Sequence, residues 1–211
     1  MIAIIDYQAG NLASVKRAVR SLGFDCRITR DQDQIVSADR VIFPGVGAAG
    51  SAMADLKQTG MDEVLKTLFK QGTPLLGICL GTQIIFDFSQ EDQGTDCLGL
   101  LPGEVEQFAP DMTEGGSRLK VPHMGWNRVD FVVRHPVLSG LEPDSEFYFV
   151  HSYYPVPGDD ALVAGWTDYG LRFASVIARD ALIACQFHLE KSGRPGLKIL
   201  KNFCEWNPGN A

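Results

Sequence analysis

The first half of the chain alternates short, unbroken apolar runs with segments whose apolar residues recur at helical spacing, and this alternation limits the fold more than any other feature. Residues 2–6 form such a run, ending in Asp6. Asn11 then stands where a helix cap belongs, and Leu12, Val15, Ala18, Val19 and Leu22 share one helical face that Gly23 stops. A second strand is expected near residues 25–29 and further apolar runs follow at 40–44 and 74–78, with helical spacing at 53–56, at 61–69 up to Gly72, and at 80–88. A run without alternation reads as a strand buried on both faces, and such strands interleaved with helices make a parallel sheet covered on both sides. From about residue 98 the pattern changes to period two, at 103–108, 127–133, 146–150, 162–166, 173–177 and 181–187, which predicts antiparallel strands with a turn at Arg179-Asp180. Residues 197–206 read as a closing helix with Leu197, Leu200, Phe203 and Cys204 inward, and the polar, glycine-bearing stretch 111–117 as a mobile loop. The expected fold class is therefore α/β, an open and largely parallel central sheet flanked by helices, with antiparallel strands added in the second half.

The 211 residues suit one domain spanning 1–211, since a chain of this length buries a full core. The net charge of −7 and the lack of any basic run argue against nucleic acid. No apolar stretch nears the ~20 residues that span a bilayer. The N-terminus meets Asp6 at once and has no basic segment ahead of its apolar run, so the chain is expected in the cytoplasm, away from membranes. Five cysteines, never spaced as CxxC, suggest neither a disulfide framework nor a zinc site, and no metal is expected.

One of the five differs from the rest. Cys79 lies in Gly77-Ile78-Cys79-Leu80-Gly81, between an apolar strand and a helical segment, which is a nucleophile elbow with cysteine in the serine position. The sharp turn presses both glycine positions against neighbouring backbone, where a Cβ would collide. It also sets the sulfur at a helix N-terminus, whose partial positive charge favours an anion. Cys26, Cys97, Cys185 and Cys204 read as packing or surface residues.

A thiol that attacks a carbonyl needs a base, and four histidines are available. His188 ends an apolar strand with Glu190 two residues on, so in extended chain both point to one side and Glu190 can orient the ring. His135 before Pro136 reads as a turn. Leu80 N–H and a donor from Val46 or Gly47, in the turn Gly45-Val46-Gly47, are candidates for an oxyanion hole.

Three signatures, Pro44-Gly45-Val46-Gly47, Gly77-Ile78-Cys79-Leu80-Gly81-Thr82-Gln83 and Gln186-Phe187-His188-Leu189-Glu190, resemble in order those of the class I, triad-type glutamine amidotransferases. Within that family, Pro122-His123-Met124-Gly125-Trp126-Asn127, Tyr148-Phe149-Val150-His151-Ser152-Tyr153 and the opening Asp6-Tyr7-Gln8-Ala9-Gly10-Asn11-Leu12 look like the glutaminase subunits of imidazole glycerol phosphate synthases. The resemblance covers nearly the whole chain. It implies a flavodoxin-like sheet, hydrolysis of glutamine to glutamate and ammonia without a cofactor, and delivery of the ammonia to a (β/α)8-barrel cyclase subunit, the partner in a heterodimer that serves histidine synthesis. It also implies that Cys79 is the nucleophile, His188 the acid and base, and Glu190 its orienter. Gly47, Leu80, Gln83, Ser152 and Tyr153 would hold glutamine, with the Ser152 and Tyr153 backbone toward its carboxylate and the Gln83 side chain toward its ammonium. Met124, Trp126 and Lys191 fall where the family meets its partner. One position departs from the family: Leu189 replaces the proline usual between the triad histidine and glutamate, which is expected to loosen their geometry.

Two other readings use the same elbow. One is a related glutaminase that feeds a different synthase, such as a sugar amidotransferase. The other is a γ-glutamyl hydrolase or cysteine peptidase active alone.

Overall fold

The apolar runs become the centre of one sheet. The computed structural model describes residues 1–7 and 10–210, so Gln8 and Ala9 of the opening stretch lie outside the described residues. Strands β1 (Ile2–Ile5), β2 (Cys26–Thr29), β3 (Arg40–Gly45) and β4 (Leu75–Cys79) alternate with helices α1 (Leu12–Ser21), α2 (Gln32–Val36), α3 (Ala49–Thr59) and α4 (Met61–Gln71). β1 pairs in parallel with β2 and β3, β3 with β4, and β4 with the late strand Leu182–Cys185. The parallel order β2-β1-β3-β4-(Leu182–Cys185) is that of a flavodoxin-like doubly wound sheet. Strands Arg172–Arg179, Val163–Asp168 and Asp130–Phe131 continue it antiparallel to eight strands.

Side-chain alternation along the buried strands explains why both faces need cover. Ala3, Ile5, Val41, Phe43 and Leu75 pack with Met53 and Leu56 of α3 and Leu65 and Leu68 of α4. Ile2, Ile4, Ile42, Leu76 and Ile78 point the other way, onto Val15 and Val19 of α1 and onto Ile199, Leu200 and Phe203 of the last helix, Gly193–Glu205. Each such fully buried side chain contributes roughly 1.5–3 kcal/mol over an exposed one. No helix among the described residues is long and apolar enough to cross a membrane.

The second half adds two smaller layers. Gly103–Gln107 pairs with Tyr153–Pro157 and with Phe88–Ser89, and His123–Arg128 forms an antiparallel ribbon with Glu146–His151. The ribbon is tied to the end of the main sheet: His188 N donates to the Tyr148 carbonyl at 2.9 Å, and Tyr148 N to Ser192 Oγ at 2.9 Å.

Several elements depart from the sequence reading. The helical segment expected over 80–88 is a single turn, α5 (Leu80–Gln83). The Ile84, Ile85 and Phe86 carbonyls accept from Leu98, Leu100, Leu101 and Gly99 N–H groups, which ends the helix. The expected strand 127–133 is split into His123–Arg128 and Asp130–Phe131, which belong to different sheets. The stretch 111–117 contains a small exposed hairpin, Thr113–Glu114 with Ser117–Arg118, closed by Gly115 and Gly116 at φ 55° and 81°. Arg179 still belongs to its strand, and the turn falls one residue later at Asp180-Ala181, with Asp180 at φ 51°.

Candidate active site

β4 ends in a strained turn. Cys79 has φ 56° and ψ −108°, a conformation that L residues avoid and that costs roughly 1–3 kcal/mol. The flanking glycines are sterically required: a Cβ on Gly77 would lie 2.8 Å from the Gly81 carbonyl oxygen, and one on Gly81 would collide with the Phe43 carbonyl of neighbouring β3. Because α5 is one turn long, the positive end behind Cys79 is that of a single helical turn.

The strand Leu182–Cys185 lies beside β4 with Cys185 opposite Ile78, so His188 emerges at the same edge as Cys79. His188 Nδ1 is 2.9 Å from Glu190 Oε1, with both side chains buried. They meet across the 3-10 turn Leu189–Lys191 rather than in extended chain. Lys191 N and Ser192 Oγ both bond the His188 carbonyl, at 3.1 and 2.6 Å, and bend the chain there. Leu189 therefore leaves the His188–Glu190 contact closed, contrary to the loosening expected from the missing proline.

Burial disfavours charge on His188, but hydrogen bonding to Cys79 and Glu190 and their negative charge outweigh it and push its pKa up to about 9. Burial likewise opposes ionisation of Glu190, yet the bond to His188 and the ring's charge hold its carboxyl below the usual carboxylate range, helped by Asn11. With Nδ1 committed to the carboxylate, Nε2 is the position left to exchange a proton with Cys79.

A cleft of about 430 Å³ opens at this edge. Its walls include Cys79 and His188, the oxyanion candidates Val46, Gly47 and Leu80, and the glutamine-contact candidates Gln83, Ser152 and Tyr153. Glu190 stands behind His188. A larger hollow of about 640 Å³ lies around His135 and Glu142 and contains no member of the Cys79 constellation.

Four site residues escaped the sequence reading. Asn11 stands at the N-cap of α1, where its carbonyl accepts from Val15 N, but its side chain makes no cap bond; at φ 75° it turns to donate to Glu190 Oε1 at 2.5 Å. Gln186 Nε2 lies 3.9 Å from the Cys79 sulfur while its Oε1 accepts from Gln83 Nε2 at 3.0 Å. Glu91 faces the cleft, accepts from Ala49 N at 2.8 Å, and has its carboxyl pushed up by burial. The Val150 carbonyl lies 4.0 Å from Cys79 Sγ. Asn11 and Gln186 stand in stretches already singled out, but nothing local marks their long-range partners.

The other cysteines are set apart by their surroundings. Burial pushes the Cys97 and Cys204 thiols up to about 12 and raises those of Cys26 and Cys185. On the strand His123–Arg128, Met124 and Trp126 are 62% and 54% exposed, so Trp126 is not a core residue. Trp126 and Lys191 both approach Tyr148, with ring centroids 6.0 Å apart and Nζ 5.7 Å from the ring, so the three candidates occupy one face.

The family model of class I glutamine amidotransferases matches residues 3–206. The chain belongs to this family. Among its relatives, the imidazole glycerol phosphate synthase subunit HisH of Nitratidesulfovibrio vulgaris strain DP4 is 54% identical over 206 residues, covering 96% of this chain and 95% of that protein. The HisH subunit of Dehalococcoides mccartyi strain CBDB1 is 47% identical over 203 residues, covering 96% of each. Solved structures share the fold at low identity. PurLQS from Thermotoga maritima matches with a TM-score of 0.74 at 15% identity over 97% of each chain. A glutamine amidotransferase crystal structure matches at 0.68 and 18%, covering 97% of this chain and 100% of that one.

For this amidotransferase the leucine at 189 gives a direct test. His188 at φ −85°, ψ 104° already has a conformation allowed before proline, and Leu189 opens a 3-10 turn, where proline fits. Its side chain is fully buried, however. Leu189→Pro is expected to keep turnover within about twofold, because the backbone path is unchanged. It should lower the unfolding free energy by roughly 1–3 kcal/mol through lost packing, as read by denaturant titration. A large loss of turnover in the folded variant would contradict this path.

Proposed function

We propose that this chain is the glutaminase subunit of an imidazole glycerol phosphate synthase, which hydrolyses glutamine and hands the ammonia to a (β/α)8-barrel cyclase subunit in histidine biosynthesis. The observation that carries the reading is the 54% identity to a HisH subunit over nearly the full length. The Cys79–His188–Glu190 constellation supplies the chemistry.

Glutamine enters the cleft with its carboxamide carbon at Cys79. With its proton already on His188 Nε2, the sulfur bonds to that carbon, and the imidazolium is held by Glu190. The oxyanion that forms is met by Leu80 N–H and by an N–H of Val46 or Gly47. His188 then returns its proton to the departing nitrogen, so that ammonia rather than an amide anion leaves a γ-glutamyl thioester. Water attacks the thioester, gives a proton to His188 and frees glutamate, which returns the sulfur and the ring to their starting state.

The remaining residues position the substrate. Gln83 spends its Nε2 hydrogens on the Tyr153 carbonyl at 2.8 Å and on Gln186, which leaves Oε1 as an acceptor for the substrate ammonium. Glu91 adds a carboxylate on the same wall. The Ser152 and Tyr153 backbone faces the substrate carboxylate. Met124, Trp126 and Lys191 form the surface that the cyclase covers. The exposed Trp126 favours a subunit over a stand-alone hydrolase, because a large aromatic left in water is typical of an uncovered interface. In this reading residues 1–211 work as one domain, in the cytoplasm.

Mixing the purified chain with a purified cyclase tests the proposal. Glutamate release is expected together with cyclase product formed from glutamine in equal amounts. A mixture that makes product from ammonium salts and not from glutamine overturns it.

A further inference from the structure

His123 and His151 take no part in the chemistry above, yet they join the exposed strand to the cleft. The two are register partners in the ribbon, and His123 Nδ1 lies 3.0 Å from His151 Nε2. Beyond each ring stands a group of fixed polarity. His151 Nδ1 is 2.8 Å from the Tyr153 carbonyl oxygen, which can only accept. Nδ1 of His151 therefore carries the proton, its Nε2 accepts, and His123 Nδ1 must donate.

The opposite end imposes the same order. Asn127 Nδ2 donates to the Asp168 carbonyl at 2.9 Å, which sets the amide's orientation, and lies 3.3 Å from His123 Nε2. His123 Nε2 is thus the acceptor and its Nδ1 again the donor. Burial keeps both rings neutral: it brings His123 down to about 4, and with the neighbouring His123 it brings His151 down to about 3. His123 is clamped between Phe149 and Tyr169, with ring centroids 4.8 and 3.9 Å away. A second series meets it at the Tyr153 carbonyl, where Gln83 donates at 2.8 Å and is itself bonded to Gln186 beside Cys79.

We propose that His123 and His151 are positioning residues for glutamine binding, a relay of two Nδ1–H imidazoles that transmits the placement of the strand His123–Arg128 to the Tyr153 carbonyl and through it to Gln83. The inference rests on the glutaminase reading above. His123 and Asn127 lie on the inner face of the strand whose outer face bears Met124 and Trp126. A cyclase docked on that outer face acts on the same backbone that holds one end of the relay.

Imidazole nitrogen-15 NMR of the full chain at neutral pH reads the tautomers directly. Nδ1–H on both rings is expected; Nε2–H on either ring, or a charged ring, overturns the relay whatever the substrate. Kinetics of the complex with the cyclase test the positioning. His123→Phe keeps the stacking but donates nothing, and should raise KM for glutamine about fivefold, the usual net worth of one hydrogen bond, with a smaller change in kcat. His123→Asn places an amide donor near the lost Nδ1 and should recover part of that KM. An unchanged KM in the Phe variant, or a loss in kcat that Asn does not relieve, overturns the proposal. A wild-type complex that releases no glutamate from glutamine defeats the glutaminase reading instead, and the NMR result still decides the relay.

Discussion

Exchanging Cys79 for serine should remove glutamine-dependent turnover from the complex while leaving synthesis from added ammonium intact. The swap is close in shape, so the strained turn at φ 56° is retained and the cleft keeps its walls. What changes is the nucleophile, since a hydroxyl ionises far less readily than a thiol and His188 is matched to the latter. Loss of the nucleophile in a comparable triad costs about 10⁶-fold, so a fall of at least about 10³-fold in glutamate release is expected. Ammonium bypasses the thioester and needs nothing from Cys79. The same variant has a readout apart from turnover. Burial lowers the His188 pKa, and hydrogen bonds and charge from Cys79 and Glu190 raise it to about 9, so losing the sulfur should move it down toward the ordinary 6.5 in an NMR titration. Glutamate release within tenfold of wild type, or an unmoved His188 pKa, would show that the two residues do not act as a pair.

The parallel half of the fold was legible because it depends on burial alone. β1 and β4 are unbroken apolar runs buried along their whole length, and little besides a central strand needs that pattern. Cys79 was legible for a local reason too: Gly77 and Gly81 mark the two places where a Cβ meets backbone. The sequence misled where a local pattern had a distant competitor. Ile84, Ile85 and Phe86 have helical spacing, but their carbonyls are taken by the segment around Leu98–Leu101. Tyr153–Pro157 carries no clear strand pattern, since Pro155 and Pro157 lack N–H groups, yet it pairs along Gly103–Gln107 at the edge of its small sheet, where proline is tolerated. Asn11 has the sequence of a helix cap and the work of a Glu190 partner, and only the fold brings those two together.

The isolated chain should be a poor glutaminase, stimulated at least about tenfold in glutamate release when the cyclase with its ligand is added, a gain well inside the 10²- to 10³-fold worth of one oxyanion donor. In the proposed function, free ammonia is lost unless a synthase is ready for it, and activity is therefore expected to depend on the partner. The turn after β3 offers the means. Gly47 sits at φ 108° with nothing within 4 Å of where a Cβ would stand, and Val46 is 37% exposed, so the peptide between them is free of close packing on the glycine side. In the proposed mechanism, one orientation would present an N–H to the oxyanion and the other a carbonyl oxygen, which would abolish the hole. A partner biases the two orientations only by as much as it binds one better than the other. Steady-state glutamate release, measured with and without the cyclase and its ligand, gives the ratio directly. Gly47→Ala should compress that ratio, because alanine is strained at φ 108° and restricts the rotation. Full activity in the isolated subunit, indifferent to any partner, would remove the switch and leave a hydrolase that works alone.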